Sequence, residues 1–301
     1  MTKRFMTLTG LVAVGALGLT GCVASAEDVA GAGAGGEESK GELTVAVFNG
    51  WEEGIATSEL WKVALERQGY DVTLEYVDAA PVFQGLADGD YDFTTDVWEP
   101  VTHKEYLAQY GDSIEKLGTW NDESKLTVAV NEDAPIDSLT ELAGAADEFG
   151  NTIVGIEPGA GLTAAVQDGT IPTYGLEGMD FQTSSTPAML AELQAATDAG
   201  ENIVVTLWEP HWAYSAFPLK NLEDPEGTLG DAETLSSYGR AGFADDFPEV
   251  AEWLSGFTMD TETLSDLENF MFNENEGADD WGPVVEQWAE ENQEYMDSLT
   301  S

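Results

Sequence analysis

The chain has little positive charge. Among its 301 residues are 10 lysines and arginines and 58 aspartates and glutamates, so the formal net charge at pH 7 is -48. This charge disfavours nucleic acid and anionic lipid surfaces as partners, and we predict no nucleic-acid partner. The acids are spread along the whole chain, which is typical of a solvated surface. Because high salt screens the self-repulsion of such a surface, the composition favours a halophilic source, with an ordinary acidic secreted protein as the alternative.

Cysteine, histidine and catalytic motifs are also scarce. Cys22 is the single cysteine, so no intramolecular disulfide can form, and the two histidines are His103 and His211. A metal-transport protein would need more ligands of these types. The sequence contains no glycine-rich phosphate loop, nucleophile elbow or HExxH motif. We therefore predict that the protein is not an enzyme and needs no metal and no cofactor.

A targeting pattern occupies the first 21 residues. Lys3 and Arg4 precede the apolar run Leu11–Leu19, and the run leads into "LTGC", which ends at Cys22. This pattern resembles a bacterial lipobox, and the resemblance implies cleavage before Cys22 and a lipid on its sulfur. A simple secretory signal peptide is the alternative.

The segment after Cys22 is small and polar as far as Lys40 ("ASAEDVAGAGAGGEESK"), which is typical of a flexible tether. No later apolar stretch approaches the roughly 20 residues needed to span a bilayer. We predict a signal peptide at residues 1–21 and a lipidated cysteine with its tether at 22–42. The rest is expected to be a monomer outside the cytoplasm, anchored through Cys22 to the outer face of the cytoplasmic membrane, at the cell surface or in a periplasm.

Strand and helix patterns alternate in the part that follows the tether. The runs "LTVAVF" (Leu43–Phe48) and "VTLEYV" (Val72–Val77) have the length and apolar content of strands, and helical spacing separates them. A third strand is predicted at Tyr91–Trp98. Alternation of this kind predicts a mainly parallel α/β sheet with crossover helices.

The same pattern restarts near Lys125. "LTVAVN" (Leu126–Asn131), "NTIVGI" (Asn151–Ile156) and "NIVVTLW" (Asn202–Trp208) are predicted strands, and only helical patterns are recognised after Tyr214. The sequence therefore predicts an α/β protein of two lobes with a ligand cleft between them. The predicted ranges are 43–128 for the first part of lobe 1, 129–215 for lobe 2 and 216–301 for the helical return to lobe 1.

Three tryptophans follow predicted strands. The tripeptide Trp-Glu-Pro occurs at Trp98–Pro100 and again at Trp208–Pro210, and Trp51 follows the first strand. Proline ends a strand ladder, and ligands of open α/β sheets lie beyond the carboxyl ends of the strands. Packing in the core is the alternative for any one of these residues. Together they predict a box of indole faces, which attract quaternary ammonium groups.

An anion site is predicted beside this box. Gly54 and Ile55 are expected to begin the first helix, where free backbone N–H groups favour an anion. His211 follows Trp208 by three residues and could close on the same anion from the other lobe. A plain helix start and a histidine held in packing are the alternatives. No role is assigned to His103.

Four motifs, "GWEEGIA", "DVWEPVTH", "GIEPGAGL" and "LWEPHW", carry a family resemblance. With them the sequence resembles the substrate-binding proteins of glycine betaine ABC transporters, of the OpuAC/ProX type. The resemblance implies a type II periplasmic-binding-protein fold, a box of three aromatic residues, and carboxylate capture by two backbone amides and a histidine. It assigns the box to Trp51, Trp98 and Trp208, and the carboxylate to Gly54, Ile55 and His211. Because family members vary in the box, further candidates are Trp212, Phe181 and Tyr214.

The expected function is capture of glycine betaine or a close analogue. The expected partners are a membrane permease and its cytoplasmic ATPase, which would import the ligand as an osmoprotectant. A choline or carnitine carrier of the same class is the alternative, with Asp96, Glu99 or Glu209 near the cation. Choline has no carboxylate, so His211→Ala should weaken glycine betaine binding much more than choline binding.

Overall fold

A mixed sheet of nine strands runs through the protein, and the computed structural model describes residues 39–301. The predictions for residues 1–21, for Cys22 and for most of the tether lie outside the described residues. The strands are β1 (Glu42–Phe48), β2 (Asp71–Val77), β3 (Phe93–Glu99), β4 (Ile114–Asn131), β5 (Thr152–Gly155), β6 (Asp180–Thr183), β7 (Val204–Glu209), β8 (Leu219–Asn221) and β9 (Glu233–Arg240).

The strand order is β2-β1-β3-β9-β4-β7-β5-β6, with β8 also paired to β4. Strand β4 belongs to two groups of strands, because its residues 114–124 pair with β9 and its residues 125–131 pair with β7 and β8. We call β2, β1, β3, β9 and residues 114–124 the first half-sheet. The second half-sheet consists of residues 125–131 with β7, β5, β6 and β8. This arrangement confirms the predicted α/β class.

The pairing directions differ from the predicted mainly parallel sheet. Strand β1 pairs in parallel with β2 and β3, and β5 pairs in parallel with β6 and β7. Strands β9 and β4, however, pair antiparallel with their neighbours. The sheet is therefore mixed, and its antiparallel strands lie at the centre, where the two half-sheets meet.

Helices cover the sheet and connect its strands. Within residues 39–301, no helix combines the length and the apolar character needed to cross a membrane. The helices are α1 (Glu52–Arg67), α2 (Ala79–Asp88), α3 (Lys104–Tyr110), α4 (Leu139–Ala145), α5 (Gly161–Ala165), α6 (Ile171–Tyr174), α7 (Thr186–Ala199), α8 (Ala213–Ala216), α9 (Phe243–Asp246), α10 (Pro248–Gly256), α11 (Thr261–Glu268), α12 (Gly282–Glu291) and α13 (Gln293–Leu299), with short 3₁₀ or π segments at 146–149, 166–170 and 269–274.

Local sequence explains the helix boundaries. At α7, the Ser185 side chain accepts the Ala188 N–H, and Gly200 ends the helix with a φ of 65°. These are the residue types that satisfy free N–H groups at a helix start and permit the left-handed backbone at its end. Helix α1 buries Leu60, Trp61 and Leu65 completely, which fixes its face against the core.

The absence of strands after Tyr214 was predicted and is wrong. Strands β8 and β9 lie in that region, and β9 is central in the sheet. Its sequence, "ETLSSYGR", is poor in apolar residues, so hydrophobic patterning could not show it. Ser236 and Ser237 are nevertheless fully buried, and the Ser236 hydroxyl is 3.1 Å from the Thr119 hydroxyl. The exact lobe boundaries stay a prediction.

Candidate functional site

A small cavity lies where the carboxyl ends of β3 and β7 approach the start of α1. Its empty volume, which includes the open space at its mouth, is about 280 Å³. The three tryptophans predicted to form a box all line it. We call it the tryptophan cavity, and its wall consists of Trp51, Glu53, Trp98, Thr102, Leu126, Ile156, Ala160, Gly161, Leu162 and Trp208.

Trp98 and Trp208 reach this cavity through equivalent loops. Strand β3 ends at Glu99 and strand β7 ends at Glu209, and each glutamate is joined to the following proline by a cis peptide bond. Each tryptophan is the second-last residue of its strand, one in the first half-sheet and one in the second. The sequence repeat therefore corresponds to a structural repeat.

Trp51 forms the third aromatic wall and is held from behind by other rings. It caps the start of α1 and stacks on Phe48, with ring centroids 4.7 Å apart and planes inclined by 14°. It also stacks on His103 at 5.5 Å. Its indole N–H donates to Oε2 of Glu157 at 3.4 Å, and Glu157 follows β5 of the second half-sheet. The ring is therefore fixed by both sides of the cavity.

Glu53 holds the other two indoles together. Trp208 Nε1 donates to Glu53 Oε2 at 2.9 Å, and Trp98 Nε1 donates to Glu53 Oε1 at 3.2 Å. The Trp98 N–H is shared with Asp96 Oδ1 at 2.8 Å. Glu53 thus binds a tryptophan of the opposite half-sheet, as Glu157 does for Trp51. Each half of the site supplies a carboxylate to an indole of the other.

The carboxyl groups beneath the cavity are buried and close to one another. Burial raises the pKa of Glu53 to about 8, and the charge of Glu52 adds to the effect, while the two indole N–H groups oppose it. Burial, followed by the charge of Glu53, also raises the pKa of Asp96 well above its usual value. The same causes act on the pKa of Glu268 at the end of α11. At neutral pH the carboxyl group of Glu53 is therefore mainly protonated.

His211 is buried beside the cavity and faces a carboxylate. Its Nδ1 accepts the Ala213 N–H at 3.0 Å, which places the ring hydrogen on Nε2. Nε2 lies 3.3 Å from Glu52 Oε2 and is within ion-pair distance, although the angle is too poor for a hydrogen bond. The ring meets Trp208 edge-on at 4.7 Å. His211 is not part of the cavity wall in this conformation.

Gly54 and Ile55 lie in the first turn of α1, which begins two residues earlier than predicted, at Glu52. The Ile55 N–H donates to Trp51 O at 2.9 Å, so carboxylate capture through it would require a change in this turn. Gly54 is required by a close approach, because a Cβ there would lie 2.4 Å from Asp96 Oδ2. Neither residue lines the cavity.

The other aromatic candidates lie outside the cavity wall. Trp212 stacks on His211 at 5.9 Å. The Tyr214 hydroxyl bonds to Thr127 and Asn221. Phe181 packs against Gly155, where a Cβ would lie 2.5 Å from its ring. Trp212 therefore contacts a predicted site residue, whereas Tyr214 and Phe181 make their contacts elsewhere in the second half-sheet.

His103 has a structural position that its sequence did not reveal. It is fully buried, its Nδ1 accepts the Trp98 backbone N–H at 3.0 Å, and its ring stacks on Phe48 at 5.2 Å. Burial lowers its pKa to about 3, so the ring is neutral at physiological pH. His103 therefore supports Trp51 and Trp98 from behind.

The glutamates of the two Trp-Glu-Pro tripeptides form ion pairs with lysines of β4. Glu99 pairs with Lys116 at 2.6 Å, and Glu209 pairs with Lys125 at 2.8 Å. Asp96, the third acid considered for a cation, accepts the Trp98 indole N–H. None of the three lines the cavity, whereas Glu53 does.

The rest of the wall was not predicted. Thr102 and Gly161 approach each other from the two sides of the cavity, and a Cβ on Gly161 would lie 2.0 Å from Thr102 O. Gly161 belongs to the motif "GIEPGAGL", so the motif contained a signal for this contact. The remaining wall residues, Leu126, Ile156, Ala160 and Leu162, are ordinary buried apolar residues in sequence.

Comparisons with known proteins agree on one family. Residues 41–291 match the model of the substrate-binding domain of the ABC-type glycine betaine transport system. The glycine betaine/carnitine transport binding protein GbuC of Listeria monocytogenes is 35% identical over 169 residues, which are 56% of this chain and 54% of that protein. The match therefore spans about half the length of this relative.

Solved structures show the same fold. Lactococcal OpuAC, in its closed-liganded conformation with glycine betaine, is 30% identical with a TM-score of 0.79, covering 86% of this chain and 99% of that one. ProX, the glycine/betaine/L-proline-binding protein of Borrelia burgdorferi, is 27% identical with a TM-score of 0.80, covering 86% and 97%. The two-lobed type II fold predicted from the sequence is confirmed.

Proposed function

The chain belongs to the family of substrate-binding domains of ABC-type glycine betaine transport systems, and from this premise we propose that it binds glycine betaine or a closely related betaine. One observation carries the proposal. Trp51, Trp98 and Trp208, from three separate loops, line one small cavity between the two half-sheets. A cavity with three indoles suits a quaternary ammonium group, which is poorly hydrated and attracted to aromatic faces.

The energy of recognition is expected to come mainly from the indoles. Each cation–π contact contributes roughly 0.5 to 2 kcal/mol, depending on how well water is excluded. All three indoles are less than a tenth exposed, and two of them are oriented by the carboxyl group of Glu53. The box is thus oriented before the ligand arrives, which reduces the entropy lost on binding.

The carboxylate of the ligand is assigned to Gly54, Ile55 and His211, at the first turn of α1. The start of α1 favours a negative group, and His211 Nε2, which carries the ring hydrogen, lies 3.3 Å from Glu52 Oε2 in this turn. Binding would then replace the contact between His211 and Glu52 with one between His211 and the ligand. A ligand held this way contacts both half-sheets and favours a closed arrangement of the lobes.

Delivery to a permease completes the proposed function. As a member of this family, the protein would act outside the cytoplasm as a monomer and pass its ligand to a membrane permease driven by a cytoplasmic ATPase. Cys22 is the proposed lipid attachment site. An acidic, salt-tolerant surface and uptake of an osmoprotectant are consistent with each other, and neither role requires an enzyme, a metal or a cofactor.

A choline carrier is the second candidate. Glu53 places a carboxyl group in the cavity wall, and a negative charge there favours a ligand that carries positive charge alone. Carnitine has a quaternary ammonium group, as choline does, and a carboxylate, as glycine betaine does. The test therefore compares the affinities of all three compounds.

The test is a titration of the soluble protein, without residues 1–22, in high salt. Glycine betaine, proline betaine, choline and carnitine are added separately, while tryptophan fluorescence and the heat of binding are recorded. We expect saturable binding of a betaine with a change in fluorescence. If none of the four compounds binds, the proposed function is wrong. His211→Ala should weaken glycine betaine more than choline, and equal losses would contradict the carboxylate assignment.

A further inference from the structure

One ionisable group in the tryptophan cavity is not explained by capture of a zwitterion. Glu53 is 1% exposed, lines the cavity and accepts the indole N–H groups of Trp98 and Trp208. The cation of a ligand in this box would lie beside both indoles and thus close to this carboxyl group. The inference that follows rests on the proposed function, because it concerns the same cavity.

The surroundings of Glu53 contain more acids than bases. Glu52 lies on the same turn of α1, Asp96 comes from β3 and Glu268 comes from α11. His211, after β7, is a base beside these acids, and its Nε2 lies 3.3 Å from Glu52 Oε2. In residues 39–301, no lysine or arginine forms an ion pair with any of these four acids.

We propose that Glu53 determines which class of quaternary ammonium compound the cavity prefers. When its carboxyl group is ionised, the cavity favours a cation without a carboxylate, such as choline. When the group is neutral, the cavity favours a zwitterion such as glycine betaine. Glu53 is thus a specificity-determining residue as well as the residue that positions two of the three indoles.

The physical reason is that the two ligand classes respond differently to one negative charge. A choline cation is attracted by ionised Glu53 and has no group that is repelled. A zwitterion places its own carboxylate near Gly54, the residue next to Glu53, so attraction at one end is offset by repulsion at the other. At an effective dielectric constant near 20, a charge about 5 Å away changes an equilibrium constant more than tenfold.

Protonation couples this preference to pH. Burial and the charge of Glu52 raise the pKa of Glu53 to about 8, so the group changes charge within an accessible range. Binding of choline favours the ionised form and would transfer the Glu53 proton to the buffer. Binding of a zwitterion would leave the proton on the carboxyl group.

The first experiment uses the unmodified soluble protein. Dissociation constants for choline and glycine betaine are measured from pH 6 to pH 9 at constant salt. We expect the ratio of choline affinity to glycine betaine affinity to rise at least about tenfold across this range. Calorimetry in two buffers of different ionisation enthalpy should show proton release with choline near pH 7 and none with glycine betaine. A flat ratio would overturn the proposal.

The second experiment uses Glu53→Gln. The amide still accepts one indole N–H but carries no charge, so the affinity ratio should stay within about twofold over the same range. Glu157→Gln is the matched control, because Glu157 also accepts an indole N–H from the opposite side but does not line the cavity. It should keep the pH dependence of the unmodified protein.

The outcomes separate this inference from the proposed function. If Glu53→Gln retains the pH dependence of the ratio, another group causes it and the inference is wrong. If the unmodified protein binds neither ligand at any pH, the proposed function fails, and this inference fails with it. If Glu53→Gln does not fold, as judged by circular dichroism, the inference is tested on the unmodified protein. The two measurements are then the ratio of choline affinity to glycine betaine affinity and the proton release.

Discussion

The two Trp-Glu-Pro loops share their tripeptide and an ion pair with β4, but their histidines lie in different places. In both, the glutamate pairs with a lysine of β4, and the tryptophan lines the cavity. His103 lies five residues after Trp98, behind the aromatic wall, and accepts a backbone N–H there. His211 lies three residues after Trp208 and faces Glu52 across the boundary between the half-sheets.

This difference shows that two copies of one motif can have different roles. The tripeptide places an indole at the end of a strand in each half-sheet. The residue that follows decides whether the loop is fixed from behind or reaches across the cleft. His103 supports the first loop from behind, whereas Nε2 of His211 in the second loop lies near Glu52 and is proposed to bind the carboxylate of the ligand. The following predictions test this division, from the largest expected effect to the smallest.

Removal of either indole should affect binding equally. Trp98→Ala and Trp208→Ala each remove a wall of the box and its cation–π contact, so we expect the affinity for glycine betaine to fall about 30-fold in both. Calorimetric titration measures this loss. Trp98→Phe and Trp208→Phe, which keep an aromatic face, should recover part of it. A loss confined to one of the two loops would show that the cavity is not a shared box.

Removal of the histidines should separate stability from binding. His103→Ala creates a cavity beneath Trp51 and Trp98 and leaves a backbone N–H without its acceptor, so it should cost about 2 to 4 kcal/mol of unfolding free energy. His211→Ala should cost less stability and should weaken glycine betaine about tenfold. Denaturant unfolding and ligand titration of both variants test this, and the reverse pattern would contradict the division of roles.

The contributions of His103 and Glu268 to stability should depend on pH in opposite directions. The folded pKa of His103, about 3, lies below its unfolded value of about 6.5. Its contribution to stability is therefore present above pH 6.5 and is lost as the pH falls toward 3. The folded pKa of Glu268, which is near the His211 side, is raised above 4.5. Its contribution is present below pH 4.5 and is lost as the pH rises through the raised pKa.

Glu268→Gln tests the second of these signs. Because the amide has no charge to bury, the variant should gain stability relative to the unmodified protein as the pH rises from 5 to 9, on the order of 1 to 2 kcal/mol. Melting temperatures at several pH values measure the difference. Glu262→Gln, an exposed acid of the same helix, is the control and should show no such trend. A gain that is larger at pH 5 would reverse the expected sign.

Loss of the bracing ion pairs should have the smallest effect. The side chains of Glu99, Lys116, Glu209 and Lys125 are between 22% and 48% exposed, so each pair is well solvated. Glu99→Gln and Glu209→Gln should each cost less than about 1 kcal/mol, and the two costs should be alike. Thermal unfolding at low and high salt measures them. A large cost at one loop alone would show that the bracing is not equivalent.

Much of the cavity wall was predictable because Trp98 and Trp208 lie at strand ends and Trp51 lies just after one. Trp51, Trp98 and Trp208 therefore converge for a reason that strand patterns can show. The role of Glu53 was not predictable, since no spacing reveals that its carboxyl group reaches Trp208, far away in sequence. Strand β9 was missed for another reason: its hydroxyl and charged side chains are buried by hydrogen bonding, which hydrophobic patterning does not detect.

The position of strand β9 affects how the chain folds during synthesis. It lies between β3 and β4, yet residues 233–240 are made long after both neighbours. Until they emerge from the ribosome, β3 and the early part of β4 have unpaired edges, and the first half-sheet remains incomplete. We therefore expect the nascent chain to stay open and dependent on chaperones until late in synthesis, a state that also suits passage across a membrane before folding.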